Sequence, residues 1–110
     1  MKKKIHFNPV LGRLYKDNFF TEIKPANQYI TLENGFYHGK LDLSKVVGVV
    51  NSVTREGDAL VGEVCLLDTP MSKYIDLEQY DLCPAGFGTV KDNVVQDDYK
   101  LLGFELVLKQ

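Results

Sequence analysis

The chain has little of what usually announces a specific chemistry. Among 110 residues there are only two cysteines and two histidines. Cys65 and Cys83 are not in a CxxC-type spacing and do not pair closely with His6 or His38, which argues against a zinc site and against a disulfide framework. Both thiols read as reduced, and no metal or cofactor is expected. Charge of one sign is also lacking: the formal net charge is -2 and the pI is near 5.6. Phosphate-backbone affinity comes from clustered Lys and Arg, so nucleic acid is an unlikely partner. No apolar run approaches the roughly 20 residues of a membrane span. The basic run Lys2 to Lys4 is followed by "IHFNPVLGRLYKDN", which breaks any signal-like apolar stretch, so the chain reads as soluble and cytoplasmic. Repeats, low-complexity tracts and linkers are missing too, leaving no reason to divide residues 1–110 into more than one domain.

What is present is enough apolar material for one modest core, 45% hydrophobic and 11% aromatic. Residues 1–40 are punctuated by Pro9, Gly12, Pro25, Gly35 and Gly39, which favours short strands and turns and leaves open whether this part completes the fold or forms an arm. "QYITLENGFYHGKL" predicts a hairpin, with Tyr29 to Leu32 turning at Asn34-Gly35 into a return strand from Phe36 and Tyr37. "KVVGVVNSVT" and "ALVGEVCLL", separated by "REGD", predict a second hairpin whose arms are apolar on both faces. In "DTPMSKYIDLEQY" a cap at Asp68 or Thr69, Pro70 at the first helical position, and Met71, Tyr74 and Ile75 at helical spacing predict a short helix over residues 70–80. A turn at "KDN" precedes a closing strand in which Leu102, Phe104, Leu106 and Leu108 alternate with Leu101, Gly103, Glu105 and Val107. The expected class is mainly β (α+β), a small antiparallel β barrel or sandwich with one or two short helices.

From Leu41 onward the order of motifs resembles the core of the prohead maturation proteases of tailed bacteriophages, serine proteases related to the herpesvirus assembly protease. The resemblance rests on "LDLSKVVGVVNSV", "GEVCLLDTP", "CPAGFG" and "LLGFELV", and covers residues 41–110. It places Asp68, Thr69 and Pro70 at the family's helix entry, Gly86 and Gly88 at its loop glycines, and Gly103, Phe104 and Val107 on its last strand. At the catalytic positions the family's pattern is not kept. Its serine nucleophile falls on Cys83, the next serine on Pro84, the loop arginine on Ala85, the histidine on Gly48, and an acidic residue on Glu105.

The chemistry at those positions argues against catalysis. Gly48 offers no base, Pro84 offers no N–H to an oxyanion, and Ala85 removes a cation. The resemblance therefore implies a non-catalytic phage protein acting in the host cytoplasm. It would bind through Cys83, Pro84, Ala85, Gly86, Phe87 and Gly88 to a capsid-assembly component or a host factor. An anti-defence protein that takes a host defence protein or its small-molecule signal is an alternative. A minimal cysteine hydrolase is another, with Cys83 as nucleophile, Glu105 as orienter and His6 or His38 as base. The "AGFG" backbone could also receive a small anion. Cys65 reads as a packing residue, Asp97 and Asp98 as solvated, and Phe19, Phe20, Phe36 and Tyr37 as aromatics that make a homo-oligomer reasonable.

Overall fold

The computed structural model describes residues 2–8, 14–16, 20, 27–33, 35–37, 40–57, 59–70 and 72–109. Six strands form one sheet: β1 (Lys2–His6), β2 (Tyr29–Leu32), β5 (Val46–Glu56), β6 (Ala59–Leu66), β7 (Tyr80–Phe87) and β10 (Lys100–Leu108), in the spatial order β1-β6-β5-β2-β10-β7. Two short ribbons accompany it, β3 (Phe36–Tyr37) with β4 (Lys40–Leu41), and β8 (Val90–Lys91) with β9 (Val94–Val95). The expected mainly β class holds. The sheet is mixed rather than wholly antiparallel, because β2 and β10 run parallel, with Ile30 opposite Phe104 and Leu32 opposite Leu106.

Nor is it a closed barrel. The edge strands β1 and β7 meet at an isolated parallel bridge between Phe7 and Leu82, where Asn8 N–H donates to Leu82 O at 3.2 Å. Preceding Tyr80, the chain bends into a 3-10 turn at Leu77–Gln79, held by Asp76 Oδ1 accepting from Glu78 N–H.

The β5–β6 hairpin forms as the sequence predicts, turning at Gly57, whose φ of 62° suits glycine. The "KDN" turn forms too, with Asp92 and Asn93 both at positive φ between β8 and β9. The hairpin expected at Asn34-Gly35 does not form, and Asn34 lies outside the described residues. β2 is hydrogen-bonded to β5 on one side and β10 on the other, so it has no edge left for Phe36 and Tyr37, which pair with Lys40 and Leu41 instead. The helix expected over residues 70–80 is replaced by two 3-10 turns, Ser72–Tyr74 and Leu77–Gln79. Ser72 Oγ donates to Thr69 O and Ser72 N–H to Thr69 Oγ1, local bonds that satisfy the chain after one turn.

The main core lies on one face of the sheet. Ile5, Phe7, Phe20, Ile30, Val50, Val64, Leu82, Phe104 and Leu106 are buried there. Phe7 packs edge-on against Phe20 and Phe104, with ring centroids 5.4 and 6.2 Å away. The described parts of residues 1–40 thus supply two sheet strands and core aromatics. Phe20 is buried and Phe36 packs on Gly103, so neither is an exposed aromatic patch; Phe19 lies outside the described residues. In β10 a bulge between Leu101 and Gly103 shifts the alternation, so that Leu101 rather than Leu102 packs against the core. Phe104 is fully buried and touches the rings of Phe7 and Phe20 from two separate segments, so Phe104→Ala is expected to cost about 3–5 kcal/mol, read as a fall in the urea midpoint.

Candidate functional site

The stretch Cys83 to Phe87 is a strand, not a loop. It pairs with β10, setting Cys83 opposite Glu105, Pro84 opposite Phe104, and Gly86 opposite Leu101. Lys109 N–H donates to Gln79 O, which fixes the ladder's phase: odd-numbered residues of β7 turn their backbone toward β10, and even-numbered ones toward the free edge. Pro84 therefore stands where its missing N–H costs the ladder nothing. Gly86 is glycine because Tyr99 and the Lys100 carbonyl occupy the space a Cβ would take, and Gly88 lies 2.6 Å from Tyr99 Cα by the same measure. No positive φ occurs among Ala85 to Gly88, so the concave amide nest expected of an anion-binding "AGFG" is not formed.

Along β7 the side chains of Asp81, Cys83 and Ala85 face away from the core, since Leu82 faces into it. The row across this outer face reads Cys83, Glu105, Thr31 and Val46. Thr31 is completely buried because Gly35 packs directly on it, and Thr31 Oγ1 donates to Leu32 O at 2.8 Å. Phe36 lies over Gly103 on the same face. Half-buried among these groups, the Cys83 thiol is pushed up to about 11, first by desolvation and then by Asp81, Glu105 and Glu33. Each of those charges is negative, and each disfavours the thiolate.

The structure thus brings two candidate residues together, Cys83 and Glu105, and separates the third. Gly48 lies in the row of Ile30, Phe104 and Pro84, three strand spacings from β7 or about 14 Å. A Cβ at Gly48 would sit 2.7 Å from the Cys65 carbonyl oxygen, a backbone atom of β6. His6 is exposed on β1, next to Phe7 and hence close to the bridge to Leu82. His38 lies outside the described residues. Cys65 is a half-buried thiol on β6, and neither it nor Cys83 is in a disulfide.

Among the described residues no three His, Cys, Asp or Glu side chains gather to hold a metal ion, and no helix is long and apolar enough to cross a membrane. Asp98 is engaged by Thr89, whose N–H and Oγ1 donate to its two carboxylate oxygens at 3.0 and 2.5 Å, which holds its pKa below the usual carboxylate range. Asp97 pairs with Lys16 at 3.5 Å.

Sequence reasoning did not anticipate a second feature, the opening between β1 and β7. It is a groove of about 610 Å³ whose walls include Lys3, Lys4, His6, Glu78, Tyr80 and Lys109. Its signal in the sequence was the lysine run at residues 2–4, but the run's partner across the gap follows from topology alone. Compared with known proteins, the chain matches no family model, no curated protein and no solved structure.

Two outcomes follow from this geometry. Gly48→Ala is expected to destabilise by about 1–3 kcal/mol in urea unfolding, because β6 backbone must move to admit the methyl group. The thiol also gives a pH dependence with a fixed sign. Above its ordinary value near 9 the unfolded chain releases the Cys83 proton while the folded chain holds it up to about 11, so stability is lost as pH rises through that window. Wild type should therefore weaken more steeply than Cys83→Ala between about pH 9 and pH 11, as measured by the pH dependence of the urea midpoint.

Proposed function

We propose that the chain is a non-catalytic binding protein, a degenerate relative of the tailed-phage prohead protease core that acts on a protein partner in the infected cell. One observation carries this reading: the position that the resemblance gives to the nucleophile holds a thiol kept protonated by burial and three carboxylates. A cysteine nucleophile works as the thiolate and needs a neighbouring base or positive charge. Here the acidic candidate Glu105 is a direct cross-strand neighbour and acts on the thiol itself. The steric closure at Gly48 supports the same reading, since a side chain there would meet backbone.

By resemblance the partner is a capsid-assembly component or a host factor. The anti-defence alternative keeps the same non-catalytic scaffold and differs only in the partner.

The test is thiol labelling combined with a proteolysis assay. With iodoacetamide at about pH 8, Cys83 is expected to react more slowly than a free cysteine. The protein should show no specific cleavage of phage head proteins that Cys83→Ala removes. Rapid, selective alkylation of Cys83 together with cleavage lost in Cys83→Ala would establish the cysteine hydrolase instead.

A further inference from the structure

The groove between the two edge strands has a backbone wall as well as a charged one. Phe7 N–H donates to Leu60 O at 2.8 Å, so odd-numbered residues of β1 turn their backbone groups toward β6. Lys4 and His6 consequently turn theirs toward the opening, as Asn8 does where its N–H reaches Leu82 O. Across the gap, Tyr80 is one of the even-numbered β7 residues whose backbone also faces it. The five-residue edge of β1 is about 17 Å long, and over that length the sheet order gives it no neighbouring strand on this side among the described residues.

The charge on the walls of the groove is unbalanced, Glu63, which lies opposite Lys4 in the β1–β6 ladder, not being among them. Lys3, Lys4 and Lys109 bring three cations and Glu78 one anion, in a chain whose overall charge is negative. Lys4 also pairs with Glu56 at 3.1 Å, but both side chains are largely exposed and the pair is free to exchange. A second copy of the chain is a poor occupant. Two β1 edges paired antiparallel would set lysine against lysine, which like-charge pairing across a ladder disfavours.

We propose that the β1 edge takes an extended acidic peptide as an added strand, entering the groove between β1 and the Leu77–Gln79 turn. The peptide backbone pairs with Lys4 and His6, and its carboxylates meet Lys3, Lys4 and Lys109. This deepens the binding reading by naming the chemistry of the partner, at a site separate from the Cys83 face. Failure at the groove therefore leaves the thiol test unaffected.

The probe is a fluorescein-labelled peptide with glutamates at consecutive positions, so that as an added strand it turns carboxylates to both faces as Lys3 and Lys4 do, titrated against the full chain by fluorescence anisotropy. Binding is expected to weaken with salt and to be abolished when alternate peptide nitrogens are methylated, which blocks strand pairing. Hydrogen exchange should show new protection at the amides of Lys4 and His6 but not at Ile5, which already faces β6. Lys3→Glu combined with Lys109→Glu should cut affinity about tenfold or more, while Lys91→Glu, an exposed lysine on β8, should leave it unchanged. Because all three lysines are exposed, these variants should fold, as far-UV circular dichroism would show.

The proposal is overturned if the peptide does not bind, or if its methylated form binds equally well, which would indicate a site for anions alone. Tighter binding of a single-stranded oligonucleotide than of the peptide would also overturn it.

Discussion

The parallel contact between β2 and β10 is the constraint on which the rest of the structure depends. Without it the sheet would be two separate ladders, β1-β6-β5-β2 and β10-β7. β2 joins them through the Ile30–Phe104 row, which places two fully buried side chains at the centre of the core. Since both hydrogen-bonding edges of β2 are consumed by this joint, the residues after it cannot return alongside as a hairpin. They cross the outer face instead, with Gly35 on Thr31 and Phe36 on Gly103. The Glu33 carboxylate that helps to raise the Cys83 pKa is thus placed by a pairing choice made two strands away.

The same ladder explains why a cysteine and a glutamate side by side do not resemble a catalytic pair. In a triad the acid and the nucleophile are separated by the base that both of them hold. Here Cys83 and Glu105 are directly opposed in a hydrogen-bonded pair, with Cα atoms about 5.5 Å apart, too close to admit an imidazole between them. The carboxylate field then falls on the thiol itself. Asp81 on the same face and Glu33 beyond it add to that field. Each acidic group that would orient a histidine elsewhere serves here to keep a proton on sulfur.

Much of the fold was legible because its strongest elements are local. β5 and β6 are rich in β-branched residues and joined by a glycine turn, and β10 alternates cleanly apart from its bulge. What the sequence could not convey was non-local. Tyr29 to Leu32 has the pattern of a hairpin arm, but a central strand flanked by two distant partners has the same pattern. "DTPMSKYI" carries helix-entry chemistry, yet Thr69 and Ser72 satisfy each other within one turn. At the positions the resemblance singles out, residue types alone were enough to note that Gly48 offers no base and Pro84 no N–H donor. The steric reason for Gly48 lies in the Cys65 carbonyl, and the harmlessness of Pro84 lies in the phase of the β7–β10 ladder. Neither is visible without the register.

The open edge follows from the same topology. A sheet whose two outer strands, among the described residues, each leave one side open must either close on itself or protect its edges. This one does part of each: Phe7 and Leu82 close it at one point, and Pro84 and the lysines of β1 guard what remains. Lysines along an edge discourage pairing with neutral or basic strands and with the chain's own copy, because burying an unpaired ammonium against a new strand is costly. That cost disappears for a strand bearing carboxylates. The device that keeps the edge from aggregating is therefore also a filter, and the sign of the charge it excludes sets the sign of the partner it admits.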